Sequence, residues 1–532
     1  MNRLAAKVIL VWGYRRALIA LLAGAVGVLA LPPFGFFAAM FVSFTLLVWL
    51  LDGAAAKPES GFLGRLWPAF MTGWLFGFGY FVAGLWWLGS ALMVDAEEFA
   101  WALPFAIFGL PAGLAIFYGL ATALARLMWS DGMGRIAALA VGFGLLEWLR
   151  SFVFTGFPWN AIGYGMMPVP LMMQSAHLIG VMGVTVLSVF VFASPALLGT
   201  KLGMRPGLAL AAILFCAHIG YGAYVFYMPR SQSSAQTTGP VVRVVQPMID
   251  QAQKMDDDAD REAIFEKHLR LSVEPPRNGG RRPDIIVWPE TSIPFILTDN
   301  RDALTRIAEV LDDDQILIAG AVRAEETGPG HERYYNSVYV IDGRGQIIDA
   351  SDKVHLVPFG EYMPFEDILN DFGISNIVEM PGGFSAAANR RLLELPDGLK
   401  FYPLVCYEII FPGEMTGDIA DADAILNVTN DAWFGATPGP FQHFQQARVR
   451  AIETGRPLIR SANTGISALV DAQGRVISGL ELNREGFADS TIEGDPEPFI
   501  GGKVRNISFW LSIGLLAMIA LFSRMGFILR AN

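Results

Sequence analysis

The spacing of charge along this chain leaves few architectures open. From Ala17 to Leu51 there is no Asp, Glu, Lys or Arg. The same is true from Leu66 to Val94, Phe99 to Ala125, Leu171 to Thr200, Pro206 to Met228 and Ile507 to Phe522, and Ile136 to Val153 is interrupted only by Glu147 and Arg150. Uncharged apolar runs of about 20 residues are what a bilayer demands of a helix that must pair every backbone polar group within itself. The first run is too long for one span, and LPPFG (Leu31 to Gly35) divides it into a tight hairpin of two. The pattern predicts eight transmembrane helices, seven before residue 229 and one after residue 503. It divides the chain into a membrane domain (1–228), a mixed, charged and turn-rich globular domain (229–503), and a last helix with a short tail (504–532). A hydrophobic share of 53% against 17% charged residues fits this division and not a soluble chain.

Loop charges orient the spans. Arg3, Lys7, Arg15 and Arg16 precede the first; Lys57 and Arg65 follow the second, Arg126 and Arg135 the fourth, Lys201 and Arg205 the sixth, Arg524 and Arg530 the last. The alternate loops are poor in Lys and Arg, and the one at Asp95, Glu97 and Glu98 is acidic. The positive-inside rule then places both termini in the cytoplasm, and an odd number of spans puts the globular domain on the other side. The six spans beyond the N-terminal run argue against its cleavage as a signal peptide.

A net charge of −11 gives no basic footprint for nucleic acid. The two cysteines, Cys216 in an apolar run and Cys406 far away in the polar domain, are expected to stay unbridged, and there is no Cys/His pattern with zinc spacing. Within 229–503, VVRVVQP (241–247), DIIVWPE (284–290), QILIAGAV (315–322), NSVYVID (336–342), FYPLVCYE (401–408) and AILNVTN (424–430) read as short β-branched strands. ISALVDAQGRVIS (466–478) reads as a hairpin, and helices are expected near 258–273, 301–311 and 441–454. The mixture predicts layered α and β structure with buried sheets.

Three residues in this domain carry chemical potential. Glu290 closes the strand of VWPE, where sites commonly open, and partial burial there makes a general base; otherwise it caps the next turn. Lys353 opens KVHLVPFGEYMP, with Glu361 further along a loop constrained by Pro358, Gly360 and Pro364; it suits an oxyanion or thiolate partner, or a solvated strand end. Cys406, in LVCYEIIFP, is either a small buried apolar residue or a nucleophile, and an unpaired thiol outside the cytoplasm is an oxidation liability that needs a reason. His355 and His443 stand in two distant motifs and read as satisfied structural histidines, not as a Cys–His dyad or a metal site.

Taken together, Glu in WPE, Lys in KVHLVPFGEYMP and Cys in CYEIIFP resemble the Glu–Lys–Cys triad of the nitrilase (carbon–nitrogen hydrolase) superfamily, and NVTNDAWFG and QHFQQARVRAIETGRPLIRSANTGIS add to the likeness. With the spans and FVFTGFPWNAIGYG (152–165), essentially the whole chain resembles the apolipoprotein N-acyltransferase family. The resemblance implies a helical bundle of about eight spans joined to an αββα sandwich. It implies Cys406 as nucleophile, Glu290 as general base and Lys353 as oxyanion stabiliser, with Glu361 and Glu408 orienting the lysine and the base and Tyr407 lining the site. Trp159 and Trp433 would contact lipid, and Pro364 and Asn430 would complete the substrate surface. Family members often carry a Trp in a KW pair after the first strand of the domain; here AQKM puts Met255 at that substrate-contacting position, apolar still but without the ring to which gating is assigned.

The implied reaction moves a fatty acyl chain from a membrane phospholipid to Cys406 as a thioester, then to the α-amine of a diacylglyceryl-modified apolipoprotein, in the bacterial inner membrane with the catalytic domain on the periplasmic side. No cofactor, metal or nucleic acid is expected, and a monomer is favoured. The alternative enzyme is a membrane-tethered amidase or nitrilase with water as acceptor. A transporter with a ligand-binding outer domain would want buried ionisable groups in its spans, where Glu147 is the only acid and Arg150 lies one turn away.

Overall fold

The structure is a computed structural model that describes residues 3–200, 203–227, 239–251, 258–328, 331–364, 383–413, 415, 417–492 and 502–531. The chain falls into two compact units, one of Met1–Gly89, Trp101–Arg230 and Ile500–Asn532, the other of Ser90–Ala100 and Ser231–Phe499.

The first unit is all helix. Among the described residues, six helical segments are long and apolar enough to cross a membrane: Gly13–Ala30, Phe62–Met93, Ala96–Leu127, Ser175–Thr200, Met204–Tyr227 and Gly502–Gly526. The expected second and fifth spans are also helices, but Ala38–Asp52 is only 15 residues long and Met133–Arg150 carries Arg135, Glu147 and Arg150. Small residues let the helices approach, as in membrane bundles generally. A Cβ on Gly24 would lie 1.9 Å from the Phe76 carbonyl oxygen, and one on Gly79 would lie 2.0 Å from that of Leu21, so glycine is required on both sides of one crossing.

The acid in the middle of this unit, Glu147, is fully engaged. Glu147 accepts a hydrogen bond from Tyr118 Oη at 2.6 Å and pairs with Arg150. Arg150 in turn donates to the carbonyls of Phe157 and Trp159, while Tyr80 Oη donates to Asn160 O at 2.9 Å. These bonds tie down the loop after Arg150, and they leave Glu147 occupied with structure, as an isolated buried charge would have to be.

The second unit is a sandwich of two six-stranded sheets. In chain order the strands are β1 (Val241–Gln246), β2 (Ile285–Val287), β3 (Ile316–Gly328), β4 (His331–Asp342), β5 (Ile347–Asp352), β6 (Leu393–Glu394), β7 (Lys400–Val405), β8 (Ala424–Thr429), β9 (Leu458–Ala462), β10 (Ser467–Val470), β11 (Val476–Leu480) and β12 (Gly486–Thr491). The sheet orders are β12-β1-β2-β3-β4-β5 and β11-β10-β9-β8-β7-β6. β1, β2 and β3 run parallel, and so do β7, β8 and β9.

Strand periodicity builds the layers, because alternate side chains face opposite sides. Val242, Val244, Ile285, Val287 and Ile318 join Val405, Leu426, Val428 and Ile459 in the core between the sheets. The interleaved Ile286, Trp288, Leu317 and Ala319 pack instead with Phe265, Leu269 and Ile307 from the helices Asp258–Val273 and Arg301–Val310. Double burial explains why these strands read as continuous apolar runs. The hairpin expected at 466–478 is β10–β11. β5, β9 and β12 were not legible as strands: β5 carries Asp349, Ser351 and Asp352, and β9 carries Arg460 and Ser461, polar residues whose partners come from distant parts of the chain.

Candidate active site

Parallel strands place their C-terminal ends together, and a ligand site at such ends is a general property of α/β sheets. Here the ends of β2, β7 and β8 lead directly into Glu290, Cys406 and Asn430. Lys353 follows β5, and its backbone N–H donates to Asn336 O on β4 at 2.8 Å. Glu290 sits where the chain turns against β3. A Cβ on Gly320 would lie 2.6–2.7 Å from Pro289 O and the Glu290 and Thr291 backbone, so only glycine admits this turn.

Glu290, Lys353 and Glu361 form one buried cluster. Lys353 Nζ lies 2.9 Å from Glu361 Oε1 and 3.5 Å from Glu290 Oε1. Asn336 Nδ2 donates to both carboxylates, at 2.8 Å to Glu290 Oε1 and 3.0 Å to Glu361 Oε1. Glu290 Oε2 accepts from the Asn430 backbone N–H at 2.9 Å, and Glu361 Oε2 from that of Val357 at 2.9 Å. Burial works against the Lys353 charge, but Glu361 and Glu290 outweigh it and hold the ammonium pKa above its ordinary value, so the lysine is a fixed cation.

Cys406 follows β7 at once, with φ +50°, and is 7% exposed. A non-glycine residue in the left-handed region persists only where its surroundings hold it. Burial pushes the Cys406 thiol up, the Glu290 charge adds to this, and Lys353 and the Thr429 hydroxyl oppose it. Cys406 therefore rests as a neutral thiol, and the group whose charge it feels most is Glu290.

Glu408 bonds to backbone on both sides of the site. Its Oε1 accepts from the backbone N–H groups of Val354 (2.8 Å) and His355 (3.0 Å), and its Oε2 from that of Val405 (2.7 Å). It thus clamps the backbone after Lys353 to the backbone before Cys406. Burial would raise its pKa, but Arg390, at 2.5 Å, and the backbone donors hold it below the usual carboxylate value. Tyr407 packs in an aromatic group with His355 and Phe411, whose rings stack at 3.9 Å.

The expected substrate contacts fare differently. Asn430 turns its polar atoms to protein: beyond the bond to Glu290, its Nδ2 donates to Gln251 Oε1 at 2.6 Å and its Oδ1 accepts from Asn463 at 3.0 Å. Its backbone N–H holds the Glu290 carboxylate. Trp159 is 1% exposed and packs on Trp87 at 5.0 Å within the first unit. Trp433 is half-buried in the turn Asp431–Phe434, and Pro364 is half-buried. Met255 lies outside the described residues. Asn336 and Arg390 escaped the sequence reading. An amide in the β-branched run of NSVYVID was a usable signal for the first, whereas NRRLLELPDG held none for the second.

The comparisons agree with this architecture. The carbon–nitrogen hydrolase family model matches residues 241–495, the whole sandwich, and the model of the apolipoprotein N-acyltransferase N-terminal domain matches residues 23–194. The second unit is a carbon–nitrogen hydrolase domain, joined to a membrane helical unit. Proteins named apolipoprotein N-acyltransferase from Rhizobium rhizogenes, Agrobacterium fabrum and Rhizobium meliloti are 74%, 62% and 58% identical to this chain, each over 100% of both sequences. The chain belongs to the apolipoprotein N-acyltransferase family. Among solved structures, an amidase from Nesterenkonia sp. AN1 aligns at 16% identity over 49% of this chain and 92% of its own, with TM-score 0.35.

Proposed function

We propose that the protein transfers a fatty acyl chain from a membrane phospholipid to the α-amine of the N-terminal diacylglyceryl-cysteine of apolipoproteins, through a thioester on Cys406. The observation that carries this reading is a buried neutral thiol beside a carboxylate and a fixed ammonium, in a chain that shares its full length with apolipoprotein N-acyltransferases.

Glu290 takes the thiol proton as Sγ attacks the ester carbonyl. Lys353 stabilises the oxyanion that forms. The intermediate collapses, the C–O bond to the glycerol breaks, and Glu290 returns the proton to the leaving lysophospholipid oxygen. The acceptor amine then attacks the thioester, the C–S bond breaks, and the amine's proton returns through Glu290 to Sγ. Ester to thioester to amide ends downhill, because the final amide is more stable than the starting ester, so no nucleotide is needed. Glu361 and Asn336 hold the lysine and the base in register; Glu408 holds the two strand ends that carry Lys353 and Cys406. Hydrolysis to free acid by the same residues is the competing outcome, and the full-length match to an acyltransferase relative at 74% identity favours the amine as acceptor.

Incubating the purified protein with phospholipid alone should add one fatty-acyl mass to the Cys406 peptide. A free fatty acid accumulating with no acyl-Cys406, and no amide on adding lipoprotein acceptor, would instead favour the hydrolase.

The proposal places residues 229–503 on the periplasmic face of a bacterial inner membrane, as the Lys and Arg distribution supports. A reporter active only in the cytoplasm, fused after Met228, should be silent. Activity there would mean that the first two apolar runs act as one element.

A further inference from the structure

His443 reaches the nucleophile through its backbone carbonyl. From the helix Pro438–Thr454, His443 Nε2 lies 3.2 Å from the Cys406 carbonyl oxygen. His443 Nδ1 lies 2.9 Å from Asp431 Oδ1 and 3.1 Å from Arg460 Nη2. Arg460 Nη2 also donates to Asp431 Oδ2 at 2.8 Å, and Asp431 Oδ1 accepts from the Thr429 hydroxyl at 3.0 Å. His443, Asp431 and Arg460 are completely buried. The chemistry described above uses none of the three, yet such a polar cluster is costly to bury unless every group is satisfied.

Proton counting decides what the imidazole does. A carbonyl oxygen only accepts, so Nε2 carries a hydrogen. Nδ1 faces both an acceptor, Asp431, and a donor, Arg460. In the neutral ring it accepts from Arg460, and in the charged ring it donates to Asp431. In both states the Nε2–H stays on the Cys406 carbonyl. The peptide that follows is planar, so fixing the Cys406 C=O also fixes the Tyr407 N–H, which points the opposite way. Cys406 is at φ +50°, a conformation that needs such a hold. The N–H of the residue after a nucleophile is the donor whose distance to the attacked carbonyl is set by the nucleophile itself.

We infer that His443 is a positioning residue: by holding the Cys406 carbonyl, it aims the Tyr407 N–H at the oxyanion of acyl transfer, as a second donor beside Lys353. This rests on the acyl-transfer reading given above. Asp431 and Arg460 are the frame that keeps the imidazole in place.

Two substitutions separate the roles, because the amide nitrogen of Gln can occupy the place of Nε2 while that of Asn reaches only as far as Nδ1. In the full-length protein, two rates are followed at the Cys406 peptide: acyl loading from phospholipid, which passes through an oxyanion, and alkylation by iodoacetamide, which does not. Peptide mapping keeps the exposed Cys216 out of the measurement. His443→Asn should slow loading by about 100-fold, the scale of losing one oxyanion donor, and leave alkylation within about two-fold. His443→Gln should load within about ten-fold of the wild type. Unchanged loading in His443→Asn would overturn the inference, as would loading and alkylation falling together, because that disturbs the thiol and not the oxyanion. If His443→Asn does not fold, His443→Gln decides alone: normal alkylation without loading shows that the restored donor is not what matters. A wild type that alkylates but never loads would overturn the acyl-transfer reading itself, and this inference with it.

Discussion

Cys406→Ala is expected to lose acyl loading and amide formation together, to the limit of detection. A route through a thioester gives the acyl chain no other resting place, and the other thiol, Cys216, lies in a helix of the first unit. Cys406→Ser is the sharper variant. A serine hydroxyl is a weaker nucleophile in a site shaped for sulfur, and its oxyester resists an amine better than a thioester does. The Ser variant should load slowly and then stall, visible as an acyl-enzyme that added lipoprotein does not discharge. Normal N-acylation by purified Cys406→Ala would sink the covalent route.

Glu290→Gln and Lys353→Met should each block loading, for different reasons. Gln keeps the volume and an acceptor for the Asn430 N–H but cannot take the proton of a thiol whose burial disfavours ionisation. Lys353→Met removes the cation facing the oxyanion, a loss on the order of 3 kcal/mol or more in the barrier. It also leaves the Glu290 and Glu361 carboxylates sharing the Asn336 amide with no cation between them, an arrangement that two buried like charges do not tolerate. Lys353→Met should therefore cost folding stability as well as rate, and Glu290→Gln should cost mainly rate. Thermal unfolding measured beside single-turnover loading separates the two. A Lys353→Met protein that loads at the wild-type rate would remove the lysine from the chemistry.

Much of this was legible in one dimension because the signals are local. Bilayer length, charge-free runs and the bias of Lys and Arg depend on composition within a window, and they outlined the apolar helices. Strands buried on both faces announce themselves as β-branched runs, which is why β1, β2, β7 and β8 were placed within three residues at each end. Glu290 and Cys406 stood out because each stands at the end of such a run, and Lys353 because it opens KVHLVPFGEYMP. What was not legible depends on partners far apart in sequence. β9 carries Arg460 and Ser461 in a fully buried strand, and nothing nearby announces that Asn427, Asp431 and the carbonyls of β1 and β2 will satisfy them. Asn430 looked like a substrate contact until the fold set its N–H against Glu290. His443 looked like a satisfied structural histidine, and it is satisfied, but by the carbonyl of the nucleophile.

The sequence by itself determined that this chain enters a membrane many times, that one mixed α/β domain interrupts the spans, and which carboxylate, ammonium and thiol that domain could bring to bear. These follow from periodicity, charge and residue chemistry, which act over a few residues at a time. Only the tertiary structure decided which groups meet. It set Lys353 between Glu290 and Glu361 with Asn336 bonded to both carboxylates, spent Glu408 on the backbones at two strand ends, and brought Asp431, His443 and Arg460 together behind Cys406. The reason is that a buried polar atom must find a partner wherever the packed sheets present one, and that choice is made by strand order and register, which no local stretch of sequence encodes.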